Sequence, residues 1–303
     1  LALSSGGAKG LAHIGVIQVL EEHGIQVDVI AGCSMGAYVA AIWGFGHDGV
    51  TMEKLARQIE GRFGLWRLVD PVFPPRQGFM RGRSVKRRLQ QTIGELHFSD
   101  MVRPVYVVAT DLDTLDRVVF SSGEVAPAVH ASSAIPGVCA PVTIDGKSYI
   151  DGGVADPLPV DVLEEIGIER IIAVNTIPTP AYLRCCLEME REQADLHPRR
   201  YNLFRTLNQQ INYFARGNIL DIMMRAVHGS QIRVAEESCR HADVVLRPLS
   251  IDAHWYEFDK PGKFIALGRR AAEEQIDKIK ALVAKTISTI EHTPAQDTMA
   301  TVA

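Results

Sequence analysis

The sequence predicts an α/β fold of three layers, a mostly parallel central sheet with helices on both faces. Two observations carry this. From residue 1 to about 177, short apolar runs alternate with longer amphipathic ones, the pattern of parallel strands buried on both sides. At "DVIAGCSMGAYVAAIWGFG" (28–46) a strand-like run passes into a helix-like one through a turn with glycines at 32 and 36.

The elements follow in order. "LALS" reads as a strand that Gly6 and Gly7 break. "LAHIGVIQVLEEHG" follows as a helix with Gly24 as its left-handed stop. "VDVIAGC" is the next strand, and Met35 to about Gly46 the next helix. After the Pro-rich "PVFPPRQG", Ser84 is expected to cap a basic helix, "VKRRLQQTIG". "RPVYVVATDL" and "RVVFSSG" read as strands, and "VTIDGKSYIDGG" as a hairpin around Asp145-Gly146, a dipeptide that suits a primed turn. "RIIAVNTIP" is another buried strand. Residues 180–240 look helical and carry no motif. "ADVVLRPL" and one long helix, "KPGKFIALGRRAAEEQIDKIKALVAK", close the pattern. With no repeat and no linker, residues 1–288 are expected to form one domain: a motif-bearing core to 178, a helical part 179–240, and a closing strand and helix 241–288. Residues 289–303 read as a flexible tail.

Composition narrows the class. Of 303 residues 47% are hydrophobic and 22% charged, with a net charge of −4, a soluble globular profile. A slightly acidic balance argues against a broad nucleic-acid footprint. Cysteines 33, 139, 185, 186 and 239 show neither zinc-site spacing nor a disulfide framework, which suits reducing conditions. No apolar run approaches the ~20 residues that span a bilayer, so a cytoplasmic or membrane-peripheral location is expected. Leu1 already reads as strand, so the natural N-terminus is expected upstream and a signal peptide stays open.

Gly32-Cys33-Ser34-Met35-Gly36 fits the G-x-S-x-G nucleophile elbow, with a strand before it and a helix after. Such a turn projects Ser34 from the sheet edge, and residues two positions away must be small. A helix starting there aims free N–H groups at developing negative charge. "SSGGAKG" (4–10) offers oxyanion donors, because Gly6 and Gly7 can bring bare backbone to a carbonyl. The rival reading is a phosphate cradle. Ser5 breaks the G-x-G-x-x-G spacing and Lys9 lacks a following Ser or Thr, which disfavours nucleotide binding.

The base is the fork. Ten histidines are present, most in helical or charged contexts, and His254 in "IDAHWYEFD" is the best of them for a triad. Asp151 ends a strand, with Gly152 and Gly153 giving a tight turn that presents its carboxylate. A carboxylate bonded directly to a serine hydroxyl acts as base once desolvation raises its pKa. A turn Asp that merely satisfies its own backbone is the better reading for Asp145 or Asp156.

Five ordered segments, "SSGGAKGLAHIGVIQVLEEHGI", "IAGCSMGAYVAA", "VYVVATDLDT", "AVHASSAIPGVCAPV" and "YIDGGVADPLPV", resemble the patatin-like phospholipases across residues 1–178. The resemblance implies lipid acyl-ester hydrolysis by a Ser-Asp dyad, with no histidine and no metal or other cofactor. It maps the nucleophile onto Ser34 and the base onto Asp151. The oxyanion hole falls on Gly6, Gly7, Ala8 and Met35, with Lys9, Gly10, Gly32, Gly36, Gly152 and Gly153 completing the motifs. Ser5 departs from the pattern, standing where the family's loop usually opens with another glycine. The implied partner is a lipid or phospholipid substrate. Rival functions are a thioesterase or small-ester esterase with the same dyad, or a catalytically silent binding module.

Other features keep two readings. Arg76, Arg81, Arg83, Lys86, Arg87 and Arg88 beside Phe79 and Met80 are either a patch for an anionic bilayer or, more commonly, a solvated helix face. Asp111 and Asp113 read as strand-end hydrogen bonding before a metal pair. Cys33 reads as a packing residue turned away from the elbow. "FRTLNQQINYFARGNILDIMM" (204–224) reads first as a core-facing helix and second as a lid or acyl groove. Substrate pockets are expected to draw on the unassigned helical third.

Overall fold

The computed structural model describes residues 1–61, 69–196, 218–250 and 253–291. Its strands are β1 (Ala2–Leu3), β2 (Ile30–Cys33), β3 (Gly78–Met80), β4 (Val105–Asp111), β5 (Arg117–Phe120), β6 (Gly137–Cys139), β7 (Val142–Ile144), β8 (Lys147–Asp151), β9 (Ile172–Val174) and β10 (Val244–Leu246). The main sheet runs β10-β9-β1-β2-β4-β8-β7, with β5 also on β4. From β10 to β4 the pairing is parallel; β8, β7 and β5 join antiparallel. A separate parallel pair joins β3 to β6.

The helices are α1 (Ala12–Glu22), α2 (Met35–Phe45), α3 (Gly49–Arg57), α4 (Arg83–Ile93), α5 (Val125–Ser132), α6 (Val160–Glu165), α7 (Pro180–Leu196), α8 (Ile219–Ser238), α9 (Pro261–Glu273) and α10 (Ile276–Glu291). Alternation along the strands sorts these helices into layers. Leu3, Ile30, Val105, Val107, Ile172, Val174, Val244 and Leu246 face one core, where α1, α2 and α9 contribute Ile17, Ala40 and Phe264. The intervening Ala2, Ala31, Val108 and Ala173 face the other, covered by Val162 and Leu163 of α6 and Ile232 and Ala235 of α8. The three-layer, mostly parallel architecture is therefore as expected.

Several local expectations hold. Gly24 (φ 65°) and Gly46 (φ 116°) end α1 and α2 in positive-φ conformations. Asp145 (φ 50°) and Gly146 (φ 81°) make the primed turn of the β7–β8 hairpin. Asp111 Oδ1 accepts the N–H groups of Asp113 and Thr114, the strand-end role expected of it.

Others need correction. Ser84 does not cap α4: Asp70, across a loop, accepts the N–H groups of Arg81, Gly82 and Ser84. Helix α3 goes unforeseen although its signal is local, since Asp48 takes the Thr51 N–H at 2.7 Å. The single closing helix is two, α9 and α10, and the bend lets Phe264, Ala272 and Ile279 face one core. Residues 289–291 of the expected tail belong to α10, and 292–303 lie outside the described residues. Only 218–224 of the 204–224 stretch is described, and there Ile222 and Met223 are more than half exposed, not core-facing. Among the described residues no helix is long and apolar enough to cross a membrane.

Candidate active site

The site forms where strands end. Val107 and Val108 of β4 pair with β2 on one side and with β5 on the other, and Ala109 and Thr110 pair with β5 and β8. β2 and β8 therefore share one edge of β4, end to end, with Cys33 beside Val108 and Asp151 beside Ala109. The next residue of β2 meets the carboxylate of β8. Ser34 Oγ donates to Asp151 Oδ2 at 2.6 Å.

The backbone at this junction is tightly specified. Ser34 stands at φ 55° and ψ −118°, a conformation that costs an ordinary residue about 1–3 kcal/mol and persists only under strong constraint. Here its N–H donates to the buried Ser132 Oγ at 2.7 Å. A Cβ on Gly32 would stand 2.6 Å from the Gly36 carbonyl oxygen, and one on Gly36 would run into the Leu3 carbonyl. A Cβ on Gly152 would meet the Val108 carbonyl. Asp151 is fixed by its N–H to the Ala134 carbonyl and by Thr110 Oγ1 on its own carbonyl.

Ser34 and Asp151 are each 5% exposed. Burial pushes the Asp151 carboxyl up to about 6, while the Ser34 hydroxyl and the Gly153 N–H, 2.8 Å from Oδ1, pull the other way. Such a carboxylate is ionised at neutral pH and more basic than an exposed one.

The glycine loop follows β1 as Ser34 follows β2, so both reach the carboxyl end of the parallel sheet, where open α/β folds place their ligands. Gly6 and Gly7 line a small cavity together with Ser34 and Asp151. The N–H groups of Gly6, Gly7 and Met35 have no acceptor among the described residues and are free to meet an anion. Ala8 is a correction: its N–H is committed to the Trp255 carbonyl at 2.7 Å. Gly7 requires its residue type, at φ 57° with the Trp255 carbonyl oxygen 2.5 Å from where a Cβ would stand. Gly10 seats the loop on α2, because a Cβ there would be 2.5 Å from Met35 Cγ. Lys9 is half-buried, and burial lowers its pKa.

His254 is exposed and stacks on Tyr256 with ring centroids 5.3 Å apart, outside the lining of either cavity at Ser34. His228 does line the small cavity, its pKa lowered by burial and by nearby Lys9. Cys33 is buried on the opposite face of the sheet from α2, as expected of a packing residue.

A second cavity of about 190 Å³ reaches Ser34 and is walled almost wholly by apolar side chains, among them Leu11, Ile42, Met52, Ala56, Ile59 and Val138. Leu11 lies just before α1, Ile42 is on α2, Met52 and Ala56 are on α3, Ile59 follows α3 and Val138 is on β6, so at this cavity the named walls do not come from the helical third as expected. α8 contributes Met224, Val227, His228 and Gln231 to the small cavity instead.

Sequence reasoning missed Ser132, Trp255 and this apolar wall. Ser132 lies within "AVHASSAIPGV", but nothing in its spacing says that its hydroxyl serves the elbow.

The basic segment divides. Arg76, Arg81, Arg83, Lys86 and Arg87 line a groove of about 700 Å³, and none has a carboxylate ion-pair partner among the described residues. Arg88 and Met80 instead line the apolar cavity, Arg88 donating to the Leu55 carbonyl. Phe73, beside the groove, is 96% exposed.

Fold and junction together define an α/β protein with a serine–carboxylate pair at a strand-to-helix elbow. Residues 1–164, more than half of the chain, match the family model for patatin-like phospholipase, and the chain belongs to that family. It is similar to the lysophospholipase nte1 of Aspergillus fumigatus, 35% identical over 176 residues, 58% of this chain and 12% of that protein. An NTE family protein of Mycobacterium tuberculosis is 37% identical over 177 residues, 58% of this chain and 48% of its own. The chain thus spans less than half the length of either relative. VipD from Legionella pneumophila superposes at a TM-score of 0.48 with 15% identity, covering 91% of this chain and 66% of its own, too slight a likeness to argue from.

Proposed function

We propose that this chain hydrolyses carboxylic esters of lipids, of the phospholipase or lysophospholipase kind, with Ser34 as nucleophile and Asp151 as its only base. The observation that carries the reading is the 2.6 Å bond between two buried groups, of which Ser34 lines the apolar cavity. Asp151 takes the Ser34 proton as Oγ attacks the acyl carbonyl. The oxyanion rests on the N–H groups of Gly6, Gly7 and Met35, and the acyl chain lies along the apolar wall. The proton then passes to the leaving alcohol, and water assisted by Asp151 releases the acid.

The relatives' lysophospholipase name supports a lipid ester over a thioester or a small ester. Lipid-class profiling of wild type against Ser34→Ala tests the substrate. A panel of p-nitrophenyl esters, acyl-CoAs and phospholipids tests the rival esterase and thioesterase. Labelling by a fluorophosphonate that requires Ser34 tests the silent module.

Residues 1–288 act in this reading as one catalytic domain, since β10 and α9 pack on the same core as α1 and α2. The groove of Arg76, Arg81, Arg83, Lys86 and Arg87 meets an anionic lipid surface, with exposed Phe73 entering the headgroup layer. In this reading the enzyme works at the membrane periphery.

A further inference from the structure

Ser5 is where this chain departs from the family's glycine loop, and its side chain is in an unusual position. The residue is 4% exposed, and Oγ has no hydrogen-bond partner among the described residues. A buried hydroxyl left unpaired is unfavourable, so such a group points to a partner that arrives in function. Its backbone is already committed. The Ser5 N–H donates to the Pro157 carbonyl at 2.8 Å, and its carbonyl accepts from Ser4 Oγ at 2.9 Å and Thr176 Oγ1 at 2.8 Å.

Polar atoms converge beside Gly153. The point where a Cβ would stand on that glycine is 2.7 Å from Gln231 Nε2, 2.9 Å from Asp151 Oδ1 and 3.1 Å from Ser5 Oγ. Three distant segments therefore bring a donor amide, a carboxylate and a free hydroxyl to one spot. All three residues line the small cavity with Ser34, about 40 Å³ in volume. A water needs ~10–15 Å³ and two to four polar partners, so the cavity has room for one beside a reacting carbonyl. Ile135, Pro136, Val154 and Met224 add apolar wall, and His228 is a further polar side chain in the lining.

We propose that Ser5 Oγ and the Gln231 amide hold the water that cleaves the acyl-enzyme and present it to Asp151. The inference rests on Ser34 and Asp151 acting as nucleophile and base. The water oxygen bonds to the acyl carbon as its proton passes to the Asp151 carboxylate. The tetrahedral intermediate then breaks its bond to Ser34 Oγ, Oγ recovers the proton from Asp151, and the carboxylic acid departs. Ser5 and Gln231 are positioning residues for deacylation and play no part in acylation.

The test is stopped-flow hydrolysis of p-nitrophenyl butyrate with intact-protein mass spectrometry, on wild type, Ser5→Ala, Ser5→Gly and Gln231→Leu. Loss of the water's holders should slow deacylation about ten- to a hundredfold, the scale of a misplaced reactant. The variants should then show a larger p-nitrophenolate burst, accumulate an acyl adduct on Ser34, and lower kcat and KM together so that kcat/KM is kept. Unchanged kinetics in all three variants, or a fall in kcat/KM with no adduct, would overturn the proposal. Wild-type hydrolysis by Ser34→Ala would instead overturn the nucleophile assignment itself, a separate outcome.

Discussion

Ser34 and Asp151, 117 positions apart, are joined at 2.6 Å because β2 and β8 abut along one edge of β4. The antiparallel entry of β8 brings its last residue, not its first, to the end of β2. The proposed two-residue mechanism uses no histidine, because the strand register itself brings the carboxylate to the serine.

Removing either member should abolish ester hydrolysis while the protein stays folded. A positioned base contributes 10²–10⁴-fold, so Asp151→Asn should lose about that much in kcat/KM, and Ser34→Ala at least as much. Circular dichroism checks the fold. Activity that survives Asp151→Asn but vanishes on changing His228 or His254 would relocate the base.

The pH profile follows from Asp151, whose carboxyl is held up to about 6 by burial. It must be ionised to accept the serine proton. Hydrolysis measured as kcat/KM should therefore rise with pH through a midpoint near 6 and level off above it.

Stability should move the opposite way. The folded carboxyl titrates at about 6 and the unfolded one near 3.8, so the fold holds the proton longer. Below 3.8 both states are protonated. As pH rises through that window the unfolded state loses its proton first and stability falls, the loss being complete above 6. At about 1.4 kcal/mol per pKa unit this amounts to roughly 3 kcal/mol at most. Asp151→Asn, which cannot ionise, should raise Tm over wild type at pH 7.5 and much less at pH 4. An equal difference at both values would contradict the burial argument.

Two glycines separate packing from conformation. A methyl on Gly36 meets the Leu3 carbonyl, so Gly36→Ala should cost at least the ~1–3 kcal/mol of an overpacked core. Gly24 has open space around it but φ 65°, so Gly24→Ala should cost only about 1 kcal/mol. Urea unfolding of both variants checks the order.

The apolar cavity should set acyl length. Ala56, from α3, lines it, and Ala56→Phe fills it. Long-chain esters should lose kcat/KM while butyrate is retained, read from a p-nitrophenyl ester series. Uniform loss across the series would place the acyl chain elsewhere.

Replacing Arg83, Lys86 and Arg87 with Gln should weaken binding to vesicles containing phosphatidylglycerol and spare hydrolysis of a soluble ester. Each basic residue near such a surface contributes about 1 kcal/mol at low salt, so the triple change should reduce binding on the order of a hundredfold. Vesicle sedimentation with Ser34→Ala as the background protein measures it. Binding indifferent to salt and to anionic lipid would remove the groove from the reading.

Much of this was legible beforehand because it is local. A Gly-Cys-Ser-Met-Gly turn between an apolar run and a small-residue run declares an elbow, and Asp145-Gly146 declares a hairpin. The cap of α4 was not legible, since Asp70 reaches it from outside the helix. Nor was the Ala8 N–H, whose partner Trp255 lies far along the chain.

By itself the sequence determined which residues have the chemistry and the backbone freedom to build the elbow, the glycine loop and the Asp151 corner. Only tertiary structure decided that Ser34 meets Asp151, that Ser132 and Trp255 hold the junction, and that α1, α2 and α3 wall the apolar cavity. Hydrogen bonds in turns depend on near neighbours and leave a short-range signal. Strand order and cavity walls depend on which distant surfaces bury one another, and no window of sequence contains that.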